Sequence, residues 1–550
     1  MNPRFTTVKV SIALLLSVAI VASIATILNI KFYQVHGPFY DSMAYMNHLA
    51  WVMSQAKEQG ILSAISNSVT QSTVFLPWVL GAFLALFTEP SRILGVVIQL
   101  PLVLLQLVTG YRYFRIVAGM TENRSILYAL PLIAYPAVFF FNGGLSDFRM
   151  DLSQAMGYGA FLASLMVARK TGAIKEWLWV GLVISIVCLF RATTPVYIAI
   201  ILALSFLLDV WKKGGLAIVP GYLALSFVVL CLAGWFFVVN FDYLYYYYFT
   251  WNPDANARLS LTLSIRHIYF LVAQHIGWIL LSAFFIVMST ALFSAIQSGQ
   301  RWRLNWLMLV GGLVPISYLV ASGAGLNPFV SIVAVPGVMM FMLHPAEHKR
   351  EQHSKIGLLL APVALTAGLL LSVATSLYSF NKTVGDWIPQ RAGIDQLVNL
   401  IREDTGATGI GQARVAFLYL GSVDGSVITN HLVYEKGYRY RRNPGHVELE
   451  GFHLSVRHYR SYYSKVEWAK IPGMTDAAKM NYIVNDAMKH TDYLIMADEN
   501  SSLSMHYPIN SLANEMRKQL ETSRLKSLQT GLVLSTTESV TVYRTISAPQ

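Results

Sequence analysis

Long apolar blocks separated by short polar segments fill the chain up to about residue 380. Each block approaches the roughly 20 residues that a helix needs to cross the hydrocarbon core of a bilayer. The pattern therefore predicts a polytopic α-helical membrane protein with about eleven transmembrane helices. The predicted spans are Ser11–Ile30, Leu94–Tyr111, Ile126–Phe141, Leu152–Ala168, Glu176–Leu189, Pro195–Leu208, Leu216–Asn240, His267–Ile296, Leu304–Ala321, Pro328–Leu343 and Ile356–Tyr378.

For two of the apolar blocks, length indicates whether they form transmembrane helices. Ser11–Ile30 is longer than the roughly 7–15 apolar residues of a signal peptide, so we interpret it as an uncleaved helix with a cytoplasmic N-terminus. Phe75–Phe87 is short for a span, and its length favours a helix lying at the interface within an outer loop of residues 31–93.

The distribution of basic residues supports this topology. With Phe75–Phe87 at the interface, the predicted cytoplasmic segments hold 15 Lys and Arg residues, against 7 in the outer loops between helices. This is the asymmetry of the positive-inside rule. If Phe75–Phe87 crossed, every later loop would change sides, and the basic clusters at 169–175 and 349–355 would lie outside.

The polar tail predicts a second domain. Residues 1–379 form the membrane domain, and residues 380–550 are expected to form a small periplasmic α/β domain because charged residues occur throughout them. Strand-like runs are Arg414–Leu420, Ser426–Thr429, Tyr493–Ala497 and Val540–Arg544, and helix-like stretches are Ala392–Glu403 and Ile509–Leu528.

Composition agrees with a membrane protein. Hydrophobic residues make up 55% of the chain and charged residues only 13%, and the mean hydropathy is +0.49. The net charge of +12 arises in part from short loops, where basic residues orient the chain and contact anionic lipid, so we do not expect a nucleic-acid partner. Cys188 and Cys231 both lie in apolar blocks, which excludes a disulfide-stapled tail.

Acidic residues stand beside helix ends on the predicted outer side. Asp41 follows the first helix, and Asp147 and Asp151 flank Arg149 before the fourth block. In a cavity of low dielectric such a carboxylate can serve as a general base. Alternatively, they are solvated loop residues or helix N-caps.

Basic residues on the same side are candidate phosphate ligands. Arg191 lies in a short turn between two apolar blocks, where it is either a headgroup anchor or a ligand for a buried phosphate. Arg258 and Arg266 flank Leu-Ser-Leu-Thr-Leu-Ser-Ile and equally suit an ordinary interfacial loop. The histidines near the outer surface, including His36 and His48, match no zinc spacing.

Together these features resemble the GT-C class of membrane glycosyltransferases. An acidic residue follows the first helix, as Asp41 does, in an outer loop whose interfacial helices correspond to Trp51–Ile65 and Phe75–Phe87. The basic turn Tyr111–Gly119 joins the next two helices, and an apolar run with a proline, Ala134–Phe141, precedes the second acidic loop. A soluble domain at the C-terminus is also common in the class.

The resemblance implies an inverting glycosyltransferase. A sugar would move from a polyprenyl-phosphate donor to a hydroxyl acceptor of the cell envelope (a lipid, a glycan or a protein) at the outer face of the membrane. Asp41 would take the proton of the acceptor hydroxyl. The implied catalytic residues are Asp41, Asp147 and Asp151, the donor-phosphate ligands are Arg149, Arg191, Arg258 and Arg266, and the substrate contacts are Tyr40, Tyr45 and His48.

The resemblance leaves the metal open. The segment Asp147-Phe148-Arg149-Met150-Asp151 departs from the adjacent acidic pair or Asp-x-Asp of metal-using members, so no cofactor is certain and Mg or Mn remains possible. Arg149 could neutralise phosphate in place of a divalent ion.

Other functions remain as alternatives. The main one is a lipid or sugar transporter or flippase, but transporters place charges near the bilayer midplane, whereas here they cluster at one face. An O-antigen ligase or polymerase would carry a large outer loop between late helices and lack a long C-terminal domain. The sequence carries no eukaryotic sorting signal, so we expect a bacterial inner membrane; the sugar and the acceptor stay open.

Overall fold

The structure is a computed structural model of the 550-residue chain. It describes residues 3–35, 40–70, 72–139, 143–213, 218–246, 305–321, 330–344, 370, 389–406, 411–417, 425–441, 445–458, 472–473, 475–498, 525–535 and 538–546.

Helices make up most of the described part of the chain up to residue 344. They are α1 (Pro3–Val35), α2 (Tyr40–Gln59), α3 (Ile61–Val69), α4 (Leu76–Leu84), α5 (Leu94–Arg112), α6 (Glu122–Ala129), α7 (Met150–Thr171), α8 (Ile174–Phe190), α9 (Thr194–Lys213), α10 (Val219–Val229), α11 (Trp235–Val239), α12 (Phe241–Tyr245), α13 (Asn305–Ala321) and α14 (Val330–Leu343). One π-helical turn, Tyr113–Val117, extends α5, and another, Leu230–Gly234, joins α10 to α11.

Four helical stretches within the described residues are long and apolar enough to cross a membrane. They are Val8–Lys31, Leu94–Val117, Thr194–Trp211 and Val219–Val239. Two of the predicted spans, His267–Ile296 and Ile356–Tyr378, fall almost wholly outside the described residues. The count of about eleven spans therefore stays a prediction.

The predicted third span, Ile126–Phe141, is not a continuous helix. The chain forms α6 and then two short 3-10 turns, Leu130–Ile133 and Pro136–Phe139. A proline begins or nearly begins each turn and lacks the backbone N–H that an α-helix would use, so the apolar run breaks here. The prediction of an unbroken helix was wrong at this point.

The short block Phe75–Phe87 forms α4, which has 9 residues. At 1.5 Å per residue a helix of this length covers less than half of a bilayer core of roughly 30 Å. Its length fits the predicted interfacial position.

α7 is the central helix of this domain. Every side chain from Met150 to Ala168 is buried, including polar residues such as Ser153 and Gln154. Close packing requires glycine at two points: a Cβ on Gly157 would lie 2.6 Å from Val187 of α8, and one on Gly159 would collide with Pro336 of α14. This burial explains how polar residues that could bind substrate are carried inside an apolar bundle.

Ion pairs mark one end of the bundle. Arg112 at the end of α5 donates to both carboxylate oxygens of Glu176 at the start of α8, at 2.8 and 2.7 Å. Arg169 near the end of α7 pairs with Asp209 near the end of α9, at 2.6 Å. The starts of α5, α7 and α9 and the end of α8 therefore lie at the opposite face.

The C-terminal domain contains a seven-stranded mixed sheet in the order β2-β3-β4-β1-β5-β7-β6, in which β1 pairs in parallel with β4 and β5. Its strands are β1 (Gln412–Phe417), β2 (Arg439–Tyr440), β3 (His446–Leu449), β4 (Phe452–His458), β5 (Tyr493–Ala497), β6 (Leu525–Ser535) and β7 (Glu538–Thr545). The helices are α15 (residues 389–406), α16 (Gly425–Lys436) and α17 (Asp476–His490).

This domain agrees with the prediction in class and differs in detail. Ser426–Thr429, predicted as a strand, belongs to helix α16, where Val427 and Ile428 are buried in the domain core. Tertiary burial here outweighs the β-propensity of a short β-branched run. Residues 525–528 of the predicted helix Ile509–Leu528 are the start of β6, and the rest of that stretch lies outside the described residues. The boundary at residue 380 stays a prediction, since residues 371–388 also lie outside them.

The C-terminal domain sits on the face where α5 and α7 begin. Arg92, just before α5, pairs with Glu435 of α16 at 3.1 Å, and the Gln55 amide of α2 donates to the main-chain oxygen of Arg441 at 2.8 Å. α2 thus lies between the helical bundle and the C-terminal domain.

Candidate functional site

The loop that leads into α7 buries a carboxylate. Asp147 has no exposed surface, and its Oδ2 accepts a hydrogen bond from the Gly143 amide at 2.7 Å. The Ser42 hydroxyl in the first turn of α2 also hydrogen-bonds this carboxylate. Asp147 Oδ1 has no hydrogen-bond partner among the residues that the structure describes. Asp147 therefore ties the loop before α7 to the residue that follows Asp41.

The surroundings of Asp147 favour its neutral form. Burial raises the pKa of this carboxyl to about 6, against the lowering effects of the Ser42 hydrogen bond, the Arg149 charge and the Gly143 amide. A smaller contribution from the negative charge of Asp151 acts in the same direction as burial. A carboxyl group with a pKa in this range can change its charge near physiological pH.

Two arginines converge on Asp151. Arg149 Nε lies 3.4 Å from Asp151 Oδ2, and Arg191 Nη2, from the end of α8, lies 3.9 Å from Oδ1. Asp151 is in the first turn of α7, where a negative charge also interacts favourably with the helix dipole. The predicted N-cap role is not seen: the N-cap residue is Arg149, and it makes no side-chain capping bond. Two guanidinium groups therefore share the carboxylate of Asp151.

Tyr45 of α2 joins this cluster. Arg191 Nη1 donates to the Tyr45 hydroxyl, and the guanidinium carbon lies 5.7 Å from the centroid of the Tyr45 ring. The ring also contacts Trp78 of α4 and Phe148, with centroid separations of 6.2 and 6.4 Å. Aromatic side chains of this kind border the positive cluster and offer flat apolar faces to a sugar or a lipid chain.

His48 lies one turn beyond Tyr45 on α2. Its ring is half-buried and packs at a tilt against the rings of Trp78 and Trp51, with centroid separations of 4.4 and 5.1 Å. Burial lowers the pKa of His48 to about 4, so the ring is neutral at physiological pH. Nε2 has no hydrogen-bond partner among the described residues. A neutral imidazole nitrogen in this position can hydrogen-bond a hydroxyl group.

Main-chain hydrogen bonds hold the end of α8 in place. The segment before α4 pairs with it, since the Ala192 amide donates to the Thr73 oxygen and the Phe75 amide donates to the Leu189 oxygen, both at 2.9 Å. Gln154 of α7 donates to the Thr193 hydroxyl at 2.7 Å. The backbone that carries Arg191 is therefore fixed relative to both α4 and α7.

Six of the residues predicted from sequence gather at this face. They are Tyr45, His48, Asp147, Arg149, Asp151 and Arg191. Tyr40 and Asp41 begin α2, but the structure does not describe their side chains, and Arg258 and Arg266 lie outside the described residues. The assignment of roles to all of these residues stays a prediction.

Sequence reasoning missed three residues of the site. Ser42 and Gln154 are small or neutral polar residues inside apolar surroundings, and Trp78 lies in a block predicted only as an interfacial helix. The one available signal was position: Ser42 follows Asp41, and Gln154 lies one helical turn after Asp151.

The described residues do not fit a divalent-metal site. No group of three or more His, Cys, Asp or Glu side chains lies together in the described part of the chain. Asp151 is engaged by Arg149 and Arg191, and one oxygen of Asp147 accepts the Gly143 amide. Oxygen ligands for Mg or Mn would have to be taken from these contacts, so we derive no step through a metal.

Comparison with solved structures places the fold among GT-C glycosyltransferases. The chain is similar to ArnT from Cupriavidus metallidurans bound to undecaprenyl phosphate, with a TM-score of 0.54 and 11% identity over 97% of this chain and 99% of that one. It also matches the Archaeoglobus fulgidus oligosaccharyltransferase tethered to an acceptor peptide, with a TM-score of 0.47 and 13% identity over 88% and 69% of the two chains. Arabinofuranosyltransferase AftD from Mycobacteria matches with a TM-score of 0.49 and 13% identity, over 97% of this chain and 40% of that one.

The likeness to ArnT extends over nearly the full length of both chains and concerns the fold. No family model and no curated protein matches the sequence. The assignment of a reaction therefore depends on the geometry of the site on this fold.

Proposed function

We propose that the chain is an inverting glycosyltransferase that moves a sugar from a polyprenyl-phosphate donor to a hydroxyl acceptor. The observation that carries the proposal is the placement of Arg149 and Arg191 on either side of Asp151, beside the Tyr45 ring. This arrangement offers positive charge and aromatic surface at one end of a helical bundle, as a lipid-linked phosphosugar requires. Support comes from the fold, which is similar to that of ArnT bound to undecaprenyl phosphate.

The proposed reaction breaks one bond and forms one. The acceptor hydroxyl oxygen attacks the anomeric carbon from the face opposite the phosphate, and the bond between that carbon and the phosphate oxygen breaks. The proton of the hydroxyl passes to Asp41, and the polyprenyl phosphate leaves with the electron pair. Because the attack comes from the far side, the anomeric configuration is inverted.

Each group of residues has a separate part in this proposal. Arg149 and Arg191 stabilise the charge that develops on the leaving phosphate, since planar guanidinium groups donate paired hydrogen bonds to phosphate oxygens. Arg258 and Arg266 remain candidates for the same role. Asp151 holds the two arginines in place through its ion pairs.

The first turn of α2 positions the base. Asp147 binds the Ser42 hydroxyl, next to Asp41, and so sets the start of this helix. Tyr45 and His48 lie on the same face of α2 and would contact the sugar or the start of the lipid chain. Tyr40 stays a further candidate for such a contact.

The proposed orientation places this face outside the cytoplasm. The opposite end of the bundle carries Arg112, Arg115, Arg169 and Lys170, which suits a cytoplasmic face under the positive-inside rule. The C-terminal domain and the site would then lie in the periplasm of a bacterial inner membrane, with an acceptor from the cell envelope. The sugar is not specified by this geometry.

The deciding experiment is turnover of labelled polyprenyl-phosphate sugars by purified protein, comparing wild type with Asp41→Asn. Release of polyprenyl phosphate that collapses in the variant, while donor binding is kept, supports both the reaction and the role of Asp41. Equal turnover in both proteins removes Asp41 as the base. Absence of turnover with every donor tested, in wild type as well, would favour transport or another lipid-binding role.

A further inference from the structure

The helix that carries the site belongs to two hydrophobic cores at once. Met46, Leu49 and Met53 of α2 pack in a cluster with Trp78 and Phe148. Met43 and Ala50, on another face of the same helix, pack in the core of the C-terminal domain. A helix shared between two cores cannot shift without disturbing both, so the position of α2 depends on how the C-terminal domain is docked.

A tyrosine of the C-terminal domain fixes the main chain of α2 next to the site. The Tyr434 hydroxyl of α16 donates to the main-chain oxygen of Met46 at 2.8 Å, one residue from Tyr45. Arg92 lies over the Tyr434 ring, 5.4 Å from its centroid, and pairs with the neighbouring Glu435. The same helix face of α16 therefore contacts α2 and the segment that leads into α5.

A buried amide pair fixes the register of this contact. Asn430 Nδ2 donates to Asn47 Oδ1 at 2.9 Å, and Asn47 Nδ2 lies 3.5 Å from the Thr429 hydroxyl. Asn430 has no exposed surface and Asn47 only 4%. Buried amides are costly unless they are hydrogen-bonded, so a slip of α2 along α16 would leave these groups without partners.

An ion-pair network at the base of α16 holds the docked helix. Glu435 accepts a hydrogen bond from Arg92 at 3.1 Å and lies 3.1 Å from Arg391 Nε and 3.2 Å from His431 Nδ1. Burial acts to raise the pKa of Glu435. The His431 hydrogen bond and the charges of Arg92 and Arg391 outweigh burial and lower this pKa overall. Glu435 is therefore ionised at neutral pH and binds α16 to the membrane domain through Arg92.

We propose that the C-terminal domain positions the catalytic helix, with Tyr434 and Asn430 as its positioning residues. They hold α2 in the position where Tyr45 meets Arg191. The inference rests on the proposed glycosyl transfer and adds to it a role for the C-terminal domain within the reaction itself. Neither residue contacts substrate, and each acts through the main chain or the side chain of α2.

This placement predicts a split between binding and turnover. Arg149 precedes α7 and Arg191 follows α8, so the donor phosphate keeps these proposed ligands when α2 is loosened, with only the Tyr45 contact of Arg191 weakened. The residues proposed to act on the sugar and the acceptor belong to α2 and would be misplaced. A small displacement of a positioned group is enough to slow the chemical step.

The test compares Tyr434→Phe with Tyr493→Phe. Tyr493 is a matched control: it is buried in the same domain, and its hydroxyl donates to Asp404 at 2.8 Å, within the domain and away from α2. Turnover is measured per donor molecule bound, which corrects for any unfolded fraction. We expect Tyr434→Phe to lower kcat by about fivefold with a smaller change in the donor KM, as the loss of one hydrogen bond at a positioned group would do, and Tyr493→Phe to leave kcat unchanged.

Hydrogen–deuterium exchange provides a second readout that does not depend on activity. Amides in residues 46–56 of α2 should exchange about fivefold faster in Tyr434→Phe, and faster again in the double variant Asn430→Ala/Tyr434→Phe, but at the wild-type rate in Tyr493→Phe. Faster exchange in α2 combined with lower kcat supports the proposal. Equal effects of the two tyrosine variants, or faster exchange without a change in kcat, overturn it.

The two proposals fail in different ways. If wild type turns over no polyprenyl-phosphate donor, the proposed function fails, and exchange alone then tests whether the C-terminal domain holds α2. Exchange in α2 that rises in Tyr434→Phe but not in Tyr493→Phe supports that part. Unchanged exchange in both variants overturns it.

Discussion

Arg191 at the end of α8 and Asp151 at the start of α7 approach each other to 3.9 Å between Nη2 and Oδ1. This separation is longer than a hydrogen bond, so the pair is held by charge and can accommodate an anion that approaches the guanidinium. Tyr45 supports the other side of Arg191 through its hydroxyl and its ring. The guanidinium group of Arg191 therefore lies at the same face of the bundle as the loop that contains Asp147.

Replacing Arg191 should weaken use of the donor. We expect Arg191→Ala to lower kcat/KM for a polyprenyl-phosphate sugar by about 100-fold and Arg191→Lys by about tenfold, because an ammonium group cannot reproduce the planar, paired hydrogen bonds of guanidinium. Steady-state kinetics with a labelled donor would measure both.

Arg402→Lys is the matched control for that series. Arg402 also lies over an aromatic ring, 5.9 Å from the centroid of Phe452, and pairs with Glu450 at 3.2 Å, but it belongs to the C-terminal domain. It should leave kcat/KM unchanged. Equal losses in the Arg402 and Arg191 variants would show that the effect is not specific to the proposed phosphate site.

The raised pKa of Asp147 predicts that the free energy of unfolding depends on pH. This pKa is raised from an ordinary value of about 4 to about 6, so the native state holds its proton more tightly than the unfolded chain does. The resulting stabilisation is present below about pH 4 and is lost as pH rises through 6, by about 3 kcal/mol in total.

Asp147→Asn removes this titration, because the amide stays neutral. We therefore expect the stability of wild type relative to Asp147→Asn to fall between pH 4.5 and pH 7. Thermal unfolding in detergent at several pH values within this range would measure the difference. Parallel stability curves for the two proteins would contradict the predicted titration of Asp147.

Gly95 of α5 allows Phe148 to reach the site. A Cβ at this position would lie 2.7 Å from Phe148 Cβ and 2.9 Å from its Cγ, neither of which is a flexible end of the side chain. Gly95→Ala should displace Phe148 from the Tyr45 and Trp78 rings and lower turnover by about tenfold.

Gly110→Ala on the same helix is the comparison for that variant. Its Cβ would meet the end of the Leu132 side chain, at 2.6 Å from Cδ1, and that methyl group can rotate away. We expect close to wild-type turnover per folded molecule. The interpretation would be wrong if Gly110→Ala reduced turnover as much as Gly95→Ala.

The ion pair at the opposite end of the bundle should matter for stability and not for chemistry. Glu176→Gln removes the charge that binds Arg112 in a partly buried pair, and we expect a loss of about 1 kcal/mol in unfolding free energy. Turnover per folded molecule should remain at the wild-type level. It is measured as the release of polyprenyl phosphate, corrected for the fraction of folded protein. A loss of kcat without a loss of stability would contradict the proposed site, because it would indicate that catalysis depends on the end of the bundle that carries Glu176.

The sequence by itself determined the class of protein and pointed to most of the residues of the candidate site. The apolar blocks and the position of charges indicated a membrane protein with a polar domain at its end, because bilayer thickness and backbone hydrogen bonding leave few other solutions. The position of charges singled out Asp147, Arg149, Asp151 and Arg191, and the GT-C resemblance implied Tyr45 and His48; the structure brings these six to one face, and their roles stay a prediction. Charges are rare in such a chain, so those that occur near helix ends stand out.

Tertiary structure alone decided how these residues act together. No sequence pattern places Ser42 on Asp147 or Tyr434 on the main chain of Met46, since these contacts join segments far apart in the chain. It also decided that Ser426–Thr429 is helical and that Ile126–Phe141 is broken, because burial and proline geometry outweigh local propensity there. The burial that raises the pKa of Asp147 likewise exists only once α2 and the loop before α7 have packed together.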